Sequence, residues 1–159
     1  MADENFSPET HRFAPPRYFD DFRVGERFYI PFRTMTDALF AAFQLASGDN
    51  HPIHYDRPYC RARDHRDLLA HGLMVASQGA AGAGIFPHVV GDALVAFLDQ
   101  SSRFLKPVYA GDTLYPMLAI TRLEPGRTTG VVAMRVTIHN QDKELVMDGE
   151  QRYLLRRKP

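Results

Sequence analysis

The run GLMVASQGAAGAGIF, residues 72–86, decides how the rest of the chain is read. It is apolar but crowded with small residues: Gly72, Ala76, Gly79, Ala80, Ala81, Gly82, Ala83 and Gly84. Each interior Gly costs roughly 1 kcal/mol of helix propensity relative to Ala. A flexible glycine loop is nevertheless disfavoured, because Leu73, Met74, Val75 and Ile85 are interleaved with the small residues. The run is therefore predicted to be a helix whose bare surface lets it lie close against a sheet.

The sheet is predicted downstream. Val132, Met134, Val136 and Ile138 alternate with Ala133, Arg135, Thr137 and His139, the period of two expected of a strand with one buried face. Segments 93–106, 113–123 and 144–155 read as strands as well. Turns are expected at Tyr109-Ala110-Gly111-Asp112, Glu124-Pro125-Gly126-Arg127 and Asn140-Gln141-Asp142-Lys143. Pro116 lacks an N–H and marks an edge or a bulge.

Upstream, Tyr18–Phe22 and Val24-Gly25-Glu26 form a turn feeding a strand through Phe28, Ile30 and Phe32. Thr36 is placed as an N-cap, Asp37 suits the positive end of a helix, and Leu39, Phe43 and Ala46 share a stripe that Gly48 ends. Residues 49–70 read as irregular, with a short helix near Pro58–Ala62. Residues 1–17, with Pro8, Pro15 and Pro16, read as a flexible N-terminal arm. The expectation is one α+β domain over residues 18–159, without internal repeats.

Bulk properties narrow the setting. The 159 residues suffice for one core, and 45% hydrophobic with 24% charged residues is ordinary for a soluble protein. Lys+Arg and Asp+Glu are equal at 19 each, so no global field recruits nucleic acid or an anionic membrane. Cys60 stands alone, which excludes an internal disulfide and fits a reducing cytoplasm. No apolar run approaches the ~18 residues of a spanning helix, and the N-terminus does not read as a signal peptide. A cytoplasmic location is expected, with no nucleic-acid or membrane partner.

The chemistry centres on Ser47-Gly48-Asp49-Asn50-His51-Pro52-Ile53-His54. Pro52 makes a continuous helix through this stretch unfavourable, so Asp49 and His54 must be set by a stiffened loop. A carboxylate and an imidazole held together polarise one water between them. A hydrogen-bonded structural pair is the alternative that spacing alone leaves open. Farther on, Gly72 offers an unobstructed N–H at a helix start, which is what an oxyanion hole requires; tight packing is the competing account.

These stretches, together with Ala70-His71-Gly72-Leu73-Met74 and Phe104-Leu105-Lys106-Pro107-Val108-Tyr109-Ala110-Gly111-Asp112-Thr113-Leu114, resemble the MaoC-like (R)-specific enoyl-CoA hydratases. The resemblance runs from about Phe19 to Leu155. It implies a hot-dog fold, a long central helix wrapped by a curved antiparallel sheet, pairing as a homodimer or higher homo-oligomer. It also implies a lyase that reversibly hydrates a trans-2-enoyl-CoA to an (R)-3-hydroxyacyl-CoA. On this resemblance Asp49 and His54 are the catalytic pair and Gly72 donates its N–H to the thioester oxygen. No cofactor or metal is implied, coenzyme A being part of the substrate.

One departure stands out. The family usually carries Asn two residues after the aspartate; here that position is His51, and Asn50 sits one place earlier. His51, Asn50, His71, Tyr55, Arg103 and Lys106 are taken as substrate-binding candidates. Arg103 and Lys106, like the terminal Arg156, Arg157 and Lys158, could meet the phosphates of coenzyme A, although a solvated strand face is the simpler account. Ser77 could approach the site, and Phe40, Phe43 and Tyr55 could line an acyl tunnel; plain packing is the competing reading. His51 and His54, with Asp49 and His71, lack dense structural-zinc spacing, so no metal is expected. Two other functions stay open: an acyl-CoA thioesterase on the same fold, and a non-catalytic acyl-CoA-binding or partner subunit.

Overall fold

The computed structural model describes residues 6–8, 10–12 and 14–159; of the expected arm, residues 1–5, 9 and 13 lie outside the described residues. In chain order the elements are β1 (Arg27–Tyr29), β2 (Arg33–Thr34), α1 (Asp37–Ser47), α2 (Arg57–Arg61), α3 (Gly72–Gln78), α4 (Phe86–Val90), β3 (Leu94–Phe104), β4 (Thr113–Pro125), β5 (Thr129–His139) and β6 (Leu145–Arg156). The sheet runs β1-β4-β5-β6-β3, with β2 also on β4, and every pairing is antiparallel.

The alternation along β5 separates the sheet's two faces. Val132, Met134, Val136 and Ile138 are fully buried and join Leu118, Ile120, Met147 and Leu155 in the core. The opposite face carries ion pairs, with Asp148 between Arg103 and Arg135, and Arg152 between Asp99 and Glu124. Helix α3 crosses the apolar face and buries Met74, Val75, Ala76 and Gln78 there.

The closeness expected of small residues is met at Gly79, where an added Cβ would lie 2.6 Å from Val136 Cγ2. The helix is shorter than the sequence run. It ends at Gln78, and the chain continues through a 3-10 turn at Ala81–Ala83 into α4. Two forces favour the break. Gly79, Gly82 and Gly84 are poor helix formers, and the Gly79 carbonyl accepts from the buried Gln151 Nε2 at 2.9 Å instead of from a following turn. Gln151 in turn accepts from the Tyr153 hydroxyl at 2.9 Å, so a buried polar chain pins the helix end to β6. Pro87, in the first turn of α4, then opens a new helix.

Pro116 sits opposite a break in the first edge. Tyr29 pairs with Met117 but Arg33 pairs with Leu114, so four steps on one strand match three on the other, a one-residue bulge beside Pro31. The Pro116 carbonyl accepts from Ile30 N–H at 3.1 Å, and its missing N–H faces the same interrupted side. Two of the three expected turns form in place: Gly111 has φ 90° and Lys143 φ 63°, with Asp112 N–H to Tyr109 O at 3.0 Å and Lys143 N–H to Asn140 O at 3.1 Å; the third lies later than expected, since β4 runs through Pro125 and Gly126 N–H bonds Thr129 O at 2.8 Å.

Helix α1 begins and ends as its sequence signals require. Thr36 Oγ1 accepts from Leu39 N–H at 3.4 Å, and Gly48, at φ 71°, donates its N–H to Gln44 O at 2.9 Å. Its buried face is set by Phe40, with Leu39 and Phe43 partly covered, while Ala46 is exposed. The helix lies over the core as a lid with one side in water, and its left-handed exit at Gly48 delivers the chain directly into the 49–54 loop.

Candidate active site

Asp49 follows the Gly48 turn, and its N–H donates to Ser47 Oγ at 3.2 Å. Its carboxylate is half exposed. The chain then makes one 3-10 turn, Pro52–His54, which Pro52 starts and His51 caps: His51 Nδ1 accepts from Ile53 N–H at 3.3 Å. An Asn side chain would offer its amide oxygen for the same bond, so His51 meets the capping need at the position where the sequence departs from the usual pattern. Asn50 accepts from Gln44 Nε2 and ties the loop back to α1.

His54 is fixed from the other side. The segment around Leu69 is clamped by Leu69 N–H to Ile53 O at 3.0 Å and Ala70 N–H to Val108 O at 2.8 Å. The Leu69 carbonyl lies 2.6 Å from His54 Nδ1. A carbonyl can only accept, so Nδ1 carries the proton and Nε2 of the neutral ring keeps its lone pair. That Nε2 faces Asp49 Oδ2 at 3.9 Å. Burial pushes the His54 pKa below the ordinary histidine value, and the neighbouring His71 adds to this. The Leu69 bond and the Asp49 charge oppose the shift without reversing it.

His71 completes the cluster and corrects an expectation. It is 2% exposed, so it is not a substrate contact. Its ring stacks on His54 with centroids 3.7 Å apart and 20° between planes, and Phe43 packs against it at 5.0 Å. Its Nε2 donates to the Asp49 backbone carbonyl at 3.1 Å, and its Nδ1 is buried without a partner. Gly72 follows as the first residue of α3, where an N–H has no intrahelical acceptor. An added Cβ there would lie 3.0 Å from the Phe104 ring, so packing also favours glycine.

Asp49, His54 and His71 place ligand-type atoms within 4.8 Å of one another. The stacking argues against a metal centre. The two nitrogens free of N–H lie in nearly parallel ring planes, whereas an ion must sit ~2.0–2.1 Å from each ligand along its lone pair. A groove of about 940 Å³ exists elsewhere, along Tyr29, Phe32, Tyr115 and His139, and contains none of the cluster.

A sequence profile of the MaoC like domain matches residues 22–141. The chain belongs to the MaoC-like domain family. It is 27% identical over 135 residues to an (R)-specific enoyl-CoA hydratase of Rhodospirillum rubrum, covering 81% of this chain and 91% of that one. It is 26% identical over 126 residues to a mitochondrial 3-hydroxyacyl-[acyl-carrier-protein] dehydratase of Arabidopsis thaliana, covering 77% and 72%. A Mycobacterium tuberculosis protein with a double hot-dog fold superposes with TM-score 0.77 at 29% identity, over 91% of this chain and 45% of that one. The MaoC-like domain described here is a single hot-dog unit of α+β class, and its relatives include hydratases and dehydratases.

The cationic candidates Arg103, Lys106, Arg157 and Lys158 are each held by a carboxylate outside the cluster. Arg103 lies on the sheet face opposite Phe104, and so opposite Gly72; it is held by Asp148 at 2.6 Å. Lys106 pairs with Glu144 at 2.5 Å. The terminal cations answer to the N-terminal segment, Arg157 to Asp20 at 2.7 Å and Lys158 to Asp21 at 2.6 Å. Ser77 Oγ donates to its own helix at Met74 O, 2.7 Å away. Phe40 belongs to the core, and Tyr55 is 46% exposed beside the loop. The residue that sequence reasoning passed over is Leu69. Its role is carried by a backbone carbonyl, for which side-chain identity gives no signal.

Proposed function

We propose that this MaoC-like domain protein catalyses the reversible hydration of trans-2-enoyl thioesters of coenzyme A to (R)-3-hydroxyacyl thioesters. The observation that carries the reading is the pair His54 Nε2 and Asp49 Oδ2 at 3.9 Å, with His54 locked in the Nδ1–H tautomer. That separation is too long for a direct hydrogen bond and suits one water bonded to both groups. The water's oxygen bonds to the β-carbon of the enoyl group while the π electrons move toward the thioester oxygen. The pair takes a proton from the water and returns one to the α-carbon, so the net addition is H and OH across the double bond. Charge grows on the thioester oxygen only during reaction, so an N–H there, assigned to Gly72, acts mainly in the transition state.

A homodimer belongs to the same proposal. Strand β3 ends the sheet, and its long edge leaves Leu94, Val95, Phe97, Leu98 and Phe104 substantially exposed, a surface that pairing with a second copy would cover. The half-exposed Asp49 carboxylate also fits a site walled by a second subunit.

The acyl carrier protein is the second carrier to test, given the similarity to the Arabidopsis dehydratase. Purified protein offered the same short enoyl group on coenzyme A and on acyl carrier protein should lose enone-thioester absorbance, faster on coenzyme A. Release of free thiol without loss of the double bond would identify a thioesterase, and binding without turnover a non-catalytic subunit.

A further inference from the structure

We propose that His71 is a positioning residue for the acid–base pair: an imidazole that anchors Asp49 by its edge and supports His54 by its face. The inference rests on the hydratase reading above for its kinetic consequences and on geometry for the rest. The edge contact is the Nε2–H bond to the Asp49 carbonyl at 3.1 Å, and the face contact is the 3.7 Å stack on His54. One side chain thus holds both members of the pair, although it follows them by 22 and 17 residues.

The tautomer follows from the partners. The Asp49 carbonyl only accepts, so Nε2 bears the hydrogen and Nδ1 bears a lone pair. Nδ1 is buried and unpartnered, so the ring's one hydrogen bond is the one that holds Asp49. Around His71, α1 contributes only Phe40 and Phe43. The titratable groups facing the stacked rings are Asp49 and His51 of the loop, and His51 lies 6.4 Å from His54. Asp49 meets His71 Nε2 through its backbone carbonyl at 3.1 Å, and its carboxylate lies within 4.8 Å of the same ring's nitrogens. A second histidine is used here as a flat polar wall, not as a second base.

Histidine-ring NMR on the whole protein tests the state directly. Above the range in which histidine rings protonate, His71 should appear as the Nε2–H tautomer, the form its bond to the Asp49 carbonyl requires. Two variants separate edge from face. His71→Phe keeps a flat ring and removes the donor; hydration kcat/KM should fall on the order of tenfold or more while the acidic limb of the pH profile stays in place. His71→Gln keeps a donor and removes the stack; the acidic limb should move up as His54 gains water. A wild-type His71 that shows the Nδ1–H tautomer overturns the proposal. So do variants that both keep rate and pH limb within about twofold of wild type. If the wild type hydrates no enoyl thioester, the hydratase reading fails alone, and the ring spectra still decide the state of His71.

Discussion

His54 Nδ1 lies 2.6 Å from the Leu69 carbonyl, and that bond determines which nitrogen of the ring is available to chemistry. With the proton held on Nδ1, the lone pair on Nε2 faces Asp49. On the proposed mechanism both halves of the pair are needed and neither substitutes for the other. Asp49→Asn and His54→Ala should each lower hydration kcat at least ~100-fold, the low end for general acid–base groups. Far-UV circular dichroism should match wild type, and near-normal turnover in both variants would remove the pair from the mechanism.

The direction of the His54 shift fixes a pH dependence. Burial holds its folded pKa below the unfolded value, so the neutral base persists below the ordinary histidine range, and the acidic limb of kcat/KM should fall there. Stability carries the same sign. Between the two pKa values the unfolded chain binds more protons, so this group's contribution is full above the unfolded value and is lost as pH falls through the folded one. Urea titrations across mildly acidic pH should show His54→Gln flattening the dependence. An unchanged slope would count against a buried neutral His54.

Gly79 tests the close packing of α3 on the sheet. Alanine at a helix end gains up to ~1 kcal/mol in propensity. Its Cβ, however, would come within 2.6 Å of the fully buried Val136, and overpacking of this kind costs about 1–3 kcal/mol. The clash should win, and Gly79→Ala should lower the urea midpoint. A stabilised variant would show that the helix end moves freely off β5.

Self-association is the fourth expectation. Sedimentation of the wild-type protein should give a dimer, and Leu98→Lys on the exposed β3 edge should shift it toward monomer. A wild type that sediments as a monomer at tens of micromolar concentration would refute pairing through this edge, because a stable interface holds well below that concentration.

What was legible in the sequence is what local chemistry enforces. Thr36 and Gly48 announce the ends of α1, the alternation in β5 announces its buried face, and Asp49, His54 and His71, picked out in the sequence, come together in the fold. What was not legible depends on partners far along the chain. The break after Gln78 reflects a bond from Gln151, and the binding of Arg157 and Lys158 reflects Asp20 and Asp21 at the opposite terminus. His71 reads as a ligand-facing histidine until its burial is known. The substitution at His51 reads as a defect until its ring is seen capping Ile53.

The bulge beside Pro31 has a consequence for the fate of the chain in a crowded solution. A sheet with two long bare edges can recruit a neighbour at each, and every recruit exposes a fresh edge in its turn, so growth has no end. Here β1 and β2 supply only three and two residues on the far side, and the bulge breaks even that line. Among the described residues the long open edge is β3, and two copies joined there, as proposed, would cover it on both. On the proposed pairing through β3, strand-to-strand addition would end at two copies, because the broken edge beside Pro31 offers a third copy little to join.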